Sequence, residues 1–406
     1  MNDQSDDEKS TADLSEPRKA VQYYEQALAS AREKDDQIEV MAALDGLGIS
    51  HALLDENHEA MGYFEEELKI ARETNDRRAE ASALVGVGNV YADMERVHEA
   101  IEHLRMSSVI SREIGNRRLE GIALVNLGNT CKQVGELKNS LEAFEEALEA
   151  MKEVNDRRSQ GYVHANLGGV YVALDQGREA IVHFERAFAV ASEIGEHSLE
   201  CDALGCLGDA YVNRGDVHEA AKYYDQQLAI ARAIGDRLTE ARALNELGVC
   251  CKNLGQPREA IGYYDQSLAV ARVVGDREGE SRSLGNLGIA YDLLGKPRKA
   301  IRYYKRVLRL AREANNRHAE AATLFNMALS IDQMGDRQKA IQHARSALTM
   351  CESIDKPLAE RVRSVLGCVC KVPRTVFLPS IRNHFTRNLR MERWPWQAKN
   401  EFAYTP

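Results

Sequence analysis

The sequence predicts an all-α fold, a solenoid of antiparallel helix pairs, and three observations carry that expectation. A Leu-Gly dipeptide or a near relative returns every 40 residues, its glycines at Gly48, Gly88, Gly128, Gly168, Gly208, Gly248 and Gly288, with Ala328 taking the next turn. A comb of small residues keeps the same period at Ala20, Ala60, Ala100, Ala180, Ala220, Ala260, Ala300 and Ala340, with Ser140 as the one exception. Proline is scarce, 8 in 406 residues, as long uninterrupted helices require. A fixed period of this length marks stacked repeats, so chain length counts units rather than separate cores.

Taken from the start, residues 1–15 are polar and acidic and are expected to form a flexible leader. Residues 1–16 carry six acids and one lysine. Met1–Ser10 lacks the features of a signal peptide, and no apolar run reaches the roughly 18 residues of a membrane span. No stable membrane insertion and a cytoplasmic location are therefore expected. The array itself spans 16–371 and opens on a lone second-type helix, Pro17 to Glu33. Eight full units follow over 36–355, and a capping helix over 357–370 closes the stack.

Residues 236–275 show how one unit folds. Ala243, Leu244, Leu247, Gly248 and Cys251 follow helical spacing in its first half; Ala260, Ile261, Tyr264, Leu268 and Ala271 do so in its second. Gly135, Gly215, Gly255, Gly295 and Gly335 close first helices, and Pro257 and Pro297 fall in the first turn of second helices, where a missing N–H costs nothing. Second helices end at Asn75, Gly115, Asn155, Gly195, Gly235, Gly275 and Asn315, residues that accept a left-handed backbone. Asp76, Asp156, Asp236 and Asp276 follow and are expected to cap the next helix. The glycine of each Leu-Gly pair sits inside a helix, at a cost of about 1 kcal/mol against alanine. Close approach of the second helix at its small residue, Ala60 in the first unit, is the expected compensation.

Charge bounds the partners. The chain carries 63 Asp/Glu and 53 Lys/Arg, a net of -10, so nucleic acid is not expected on the body of the protein. Residues 371–406 are the exception, with seven Lys/Arg and two Glu. This tail, 372–406, loses the period and holds Trp394, Trp396, Phe377, Phe385, Phe402 and Tyr404. It is expected to be a disordered end, the alternative being an intramolecular contact with the acidic array. The eight cysteines include no Cys-x-x-Cys pair. Cys131 and Cys251 occupy the phase held elsewhere by Tyr91, Tyr171, Tyr211 and Tyr291, as buried packing thiols would.

These phases resemble the tetratricopeptide repeat: a large apolar residue, Leu-Gly, Tyr three residues on, then Ala and an aromatic. One unit reads Leu84, Val87-Gly88, Tyr91, Ala100 and Leu104; another reads Leu284, Leu287-Gly288, Tyr291, Ala300 and Tyr304. The 40-residue form, with Asn126–Asn129, Leu284–Gly288 and Ile230–Arg237, is similar to the Pins/LGN class of polarity adaptors and to large multi-repeat proteins. The resemblance implies a right-handed superhelix whose first helices line a concave groove for extended or helical peptide segments of other proteins. Carried onto this chain, the groove phases hold Asn89, Asn129, Asp209, Arg242, Asn245, Lys252, Asn253, Arg282, Asp292 and Asp332. Polar residues there would also follow from amphipathicity alone.

Family specialisations and catalytic motifs fail on inspection. The carboxylate clamp of chaperone-binding members needs a basic residue at a phase that here reads Gly46, Gly86, Asn126, Asn166, Cys206, Glu246, Asn286 and Asn326. The Asp35–Gln37 stretch lies at an inter-helix cap, so it does not carry the Gα-binding motif of the Pins/LGN class. His58-Glu59, His98-Glu99 and His218-Glu219 lack the second histidine four residues on that a zinc protease requires. Gly285–Gly288 has no preceding strand, which excludes a dinucleotide loop. A non-enzymatic scaffold or adaptor in polarity or cytoskeletal signalling, with no cofactor, is the expected function. A regulatory or self-associating part of a larger repeat protein is the alternative.

Overall fold

The computed structural model describes residues 15–371, and the side chains of residues 16–366. Among the described residues there are eighteen helices and no strand. The opening helix spans Ser15–Glu33 and the closing one Lys356–Lys371, with eight helix pairs between them, from Gln37–Ala52 and Asn57–Thr74 to Arg317–Gln333 and Arg337–Cys351. The predicted leader, Ser15 apart, and the predicted tail lie outside the described residues.

Helix ends follow the punctuation of the sequence. Asn75, Gly195 and Asn315 stand at φ +56°, +70° and +50°, and Gly135, Gly255 and Gly335 at +78°, +77° and +89°. Asp76 accepts hydrogen bonds from the backbone N–H groups of Arg78 and Ala79 at 3.0 Å, and Asp236 from that of Thr239 at 3.0 Å. Pro257 and Pro297 begin their helices. Not legible beforehand were Asp55, Glu95 and Asp175, which hold φ +59°, +59° and +60° where other units place glycine. Each bears the left-handed strain of about 1–2 kcal/mol that glycine avoids.

Two compact units divide the chain between Leu199 and Glu200. In the first, Leu104, Leu124, Phe144, Met151, Val163 and Leu167 form one buried cluster, and Phe64 with Val87 and Val90 another. In the second, Tyr264 packs with Leu284 and Leu287, and Tyr304 with Phe325, Ala328 and Ala347. Each cluster joins a second helix to the first helix after it, so burial is continuous within each unit.

The in-helix glycines also admit a side chain that the sequence did not point to. A Cβ on Gly48 would lie 2.6 Å from the Phe64 ring, and one on Gly128 2.7 Å from Phe144; Tyr224, Tyr264 and Tyr304 occupy the same place against Gly208, Gly248 and Gly288. The glycine therefore admits the aromatic four residues beyond the small residue. Beside Gly88, where Leu104 replaces the ring, the Ala100 carbonyl lies at 3.4 Å. Ser140, the exception in the comb, is explained too: its hydroxyl donates to the Gly128 carbonyl at 2.7 Å.

A charged seam ties successive helices together. Glu120, 1% exposed, accepts from Arg112 and Arg117 at 2.6 Å each, and those arginines reach on to Glu146 and Glu153. Arg72–Glu80–Arg77 and Arg232–Glu240–Arg237 repeat the pattern. Gln160 takes the acid's place once, accepting from Arg157 at 2.9 Å and donating to the Met151 carbonyl at 3.0 Å.

Candidate functional site

On each first helix the phases of Leu44, Leu47 and Gly48 turn into the core, and the phases of Ala42, Asp45, Ile49 and Ala52 form the opposite face. In the unit ending at Leu199 that face carries Asn89, half-buried, and Asn129, 6% exposed. Below it, Asn126 and Asn166 are buried. The Asn126 Nδ2 and both amide atoms of Asn166 make no hydrogen bond. His164 and His183 approach Nδ1 to Nδ1 at 3.2 Å, and His183 stacks on Tyr171 with centroids 5.2 Å apart. Burial, then the neighbouring His183, pulls His164 down to about 4, so it is neutral near pH 7, and burial, then Arg186, lowers His183 as well.

The unit beginning at Glu200 has a face of alternating charge. Asp202, Arg242 and Arg282 share one repeat phase on successive first helices, all half-buried. Burial, then the like charge of Arg282, lowers the Arg242 pKa, while burial lifts Asp202 to about 6. Asp209 accepts the Tyr224 hydroxyl at 2.6 Å. Asp292 accepts from the Tyr304 hydroxyl at 2.9 Å and from Ser330 at 2.7 Å, and burial raises it to about 6. Asn245, buried, accepts from Asn286 at 2.9 Å and donates to Glu246 at 3.0 Å. Lys252 and Asp332 are half-buried and Asn253 is exposed. Burial lowers the Lys252 pKa.

Of the ten residues read from sequence, Asp209, Asn245 and Asp292 thus hold structural hydrogen bonds. Asp202 and the Asn245–Asn286 link were missed, although their phases already pointed to them. Tyr264 shows what the acids do. Its unit has Val249 and Lys252 at the phases of Asp209 and Asp292, and its buried hydroxyl makes no hydrogen bond. Bare backbone is also presented: nothing lies within 4 Å of a Cβ built on Gly169 or Gly285.

Cys131 is buried as expected, whereas Cys251 is only half-buried and its neighbour Cys250 is buried. Cys131 and Cys250 are buried, and burial pushes them up to about 11 and about 12, so both stay protonated. Among the described residues no cluster of three His, Cys, Asp or Glu is placed to hold a metal. The His58, His98 and His218 side chains are exposed at the starts of second helices. No helix of the described residues is long and apolar enough to cross a membrane.

No curated protein matches the sequence. A family model described as anaphase-promoting complex subunit 5 matches residues 10–48 and 40–89. Among solved structures, the fold is similar to a signal transduction ATPase with a tetratricopeptide repeat sensor from Pyrococcus horikoshii. The TM-score is 0.61 and the identity 17%, over 82% of this chain and 49% of that one, so the chain spans about half of that protein. It is similar to the apo quorum sensor NprR from B. thuringiensis, with TM-score 0.56 and 15% identity over 84% and 99% of the two chains. Aspartyl phosphate phosphatase F from Bacillus subtilis gives TM-score 0.56 and 14% identity over 86% and 94%. The family model described as tetratricopeptide repeat matches residues 79–153, 159–233, 199–272 and 239–313, more than half of the chain. With its eight helix pairs in a 40-residue period, the chain belongs to the tetratricopeptide repeat family.

Proposed function

We propose that this chain is a non-catalytic scaffold whose first-helix face binds segments of partner proteins. One observation carries the reading. The core phases repeat with little change from unit to unit, whereas the outward phase of the first helices reads Ala42, Ser82, Ile122, Tyr162, Asp202, Arg242, Arg282 and Ala322. Packing explains the constant positions; a solvated face has no reason to half-bury Arg242 and Arg282 side by side. A peptide is recognised over such a surface by many modest contacts, with charge setting register and choice of partner. The open backbone at Gly169 and Gly285 supports a ligand that lies along the helices.

The finer reading is an adaptor of the Pins/LGN type acting in polarity or cytoskeletal signalling. It rests on the 40-residue unit and the Asn126–Asn129 and Leu284–Gly288 signatures. The test is affinity capture from a cell extract with the full chain, compared with Asn129→Ala and Arg242→Glu variants. Proteins retained by the wild type and released by both variants support the proposal. Identical captured sets would sink it. Light scattering that reports concentration-dependent assembly of the chain alone would favour the self-associating alternative.

A further inference from the structure

A second surface lies on the helix Pro297–Glu313. Its sequence carries Arg298, Lys299, Arg302, Lys305, Arg306, Arg309 and Arg312 against one acid, Glu313. The surroundings make this unusual: residues 17–295 hold 48 Asp/Glu and 30 Lys/Arg, while residues 296–370 hold 15 Lys/Arg and 7 Asp/Glu. The repeats supply an internal control. At the phase of Lys299 five of the other units carry an acid: Glu59, Glu99, Glu179, Glu219 and Glu259. At the phase of Lys305 five units also carry an acid, Glu65, Glu145, Glu185, Asp225 and Asp265, with Arg105 and Arg345 the exceptions. The fold is indifferent to the sign of these exposed charges, so packing does not account for the reversal.

The reversed charges surround a built depression. Tyr291 and Tyr303 stack with centroids 5.4 Å apart and planes 11° from parallel. The Lys299 ammonium sits 5.3 Å from the Tyr291 centroid. With Arg302 and Arg306 these residues line a depression of about 310 Å³. Arg306 reaches Glu280 at 3.5 Å, and Asp265 faces Tyr303 from the preceding second helix. Lys299, Arg302 and Lys305 are exposed and, among the described residues, have no carboxylate within ion-pair distance.

We infer that this basic, tyrosine-floored surface docks an acidic segment of a partner protein, with one anionic side chain seated between Tyr291, Lys299 and Arg302. The footprint suits a short segment, since a 17-residue helix is about 25 Å long. A nucleic acid would extend over a chain that is acidic elsewhere. A bilayer would find no exposed large apolar side chain to take in from Pro297–Glu313. Its cations all come from the second helix, and the first helix contributes only the Tyr291 floor.

The test is fluorescence anisotropy of labelled deca-glutamate titrated with the full chain. Binding is expected, weakening as NaCl rises from about 0.05 M to about 0.3 M. Lys299→Glu combined with Arg302→Glu, charges that sister units carry or tolerate, should weaken it by about tenfold or more. Lys222→Glu, at the phase of Arg302 two units earlier, and Arg242→Glu, on the first-helix face, should leave it unchanged. Circular dichroism melting checks that each variant folds. Absence of binding, equal binding by the double variant, or loss with Arg242→Glu would overturn the assignment. So would tighter binding to single-stranded DNA, or to vesicles of equal parts phosphatidylserine and phosphatidylcholine.

Discussion

Phe64 shows what single residues decide in this array. Its ring edge lies where a Cβ on Gly48 or on Gly86 would stand, at 2.6 and 2.4 Å, so one aromatic is clasped by two bare backbones. Gly128→Leu places a side chain against Phe144 in the same arrangement, and overpacking should cost about 1–3 kcal/mol. Denaturant melts would read the loss, and an unchanged midpoint would contradict it. Glu67 is the odd member of another phase. Ser107, Gln227 and Ser267 donate there to the carbonyls of Ala81, Cys201 and Ala241 at 2.7, 2.9 and 2.7 Å. Glu67 is 2% exposed, its Oε2 makes no hydrogen bond, and burial, followed by Asp45 and Asp76, pushes its pKa up to about 9. The folded state therefore keeps a proton that the unfolded chain loses near its ordinary 4.5. Stability attributable to this group is greatest below that value, falls as pH rises through the window, and levels off above about 9. Glu67→Gln should stabilise the chain at pH 8 by about 1–3 kcal/mol and flatten the slope of melting temperature between pH 5 and pH 8. A slope equal to that of the wild type would refute it.

Helices in this protein are delimited by chemistry and joined by charge. The limits were legible because an Asn or Gly in the left-handed region and an Asp cap are local demands of the backbone. The Arg–Glu seam was not, since Glu-rich stretches on a helix read equally well as solvated faces until the next helix is in place. Glu120 makes the difference measurable. Glu120→Ala leaves Arg112 and Arg117 facing a buried gap and should destabilise by about 1–3 kcal/mol. Glu120→Gln should cost less than half as much, because Gln160 already fills that phase with hydrogen bonds in both directions. Equal losses in the two variants, read from chemical denaturation, would show that the carboxylate charge is what matters.

At the scale of the whole molecule the period governs what can be removed. Within each of the two units helices pack on their neighbours in sequence, so stability is a sum over repeats and their interfaces. Deleting residues 117–156 joins Asn116 to Arg157 in phase and preserves the Asn cap, with Gln160 in the place of Glu120. That variant should keep the helicity per residue and a cooperative melt. Deleting 117–136 instead sets two second helices in succession and should lose both, as circular dichroism would report. A half-period deletion that melts like the full-period one would show that the two helix types are interchangeable.

The sequence by itself determined the helix pairs, their ends and their number, because caps, turns and a 40-residue comb are demands each unit meets locally. It also marked the outward phases of the first helices, although it could not separate Asp209, Asn245 and Asp292 as hydrogen-bonded members of that face. Those bonds run between residues 12 to 41 positions apart, and only folding brings their partners together. The same holds for the ring that fills each glycine, the neutral carboxyl of Glu67 and the Arg–Glu seam. Burial and long-range proximity set a side chain's hydrogen bonds and protonation, and neither is written in its neighbours along the chain.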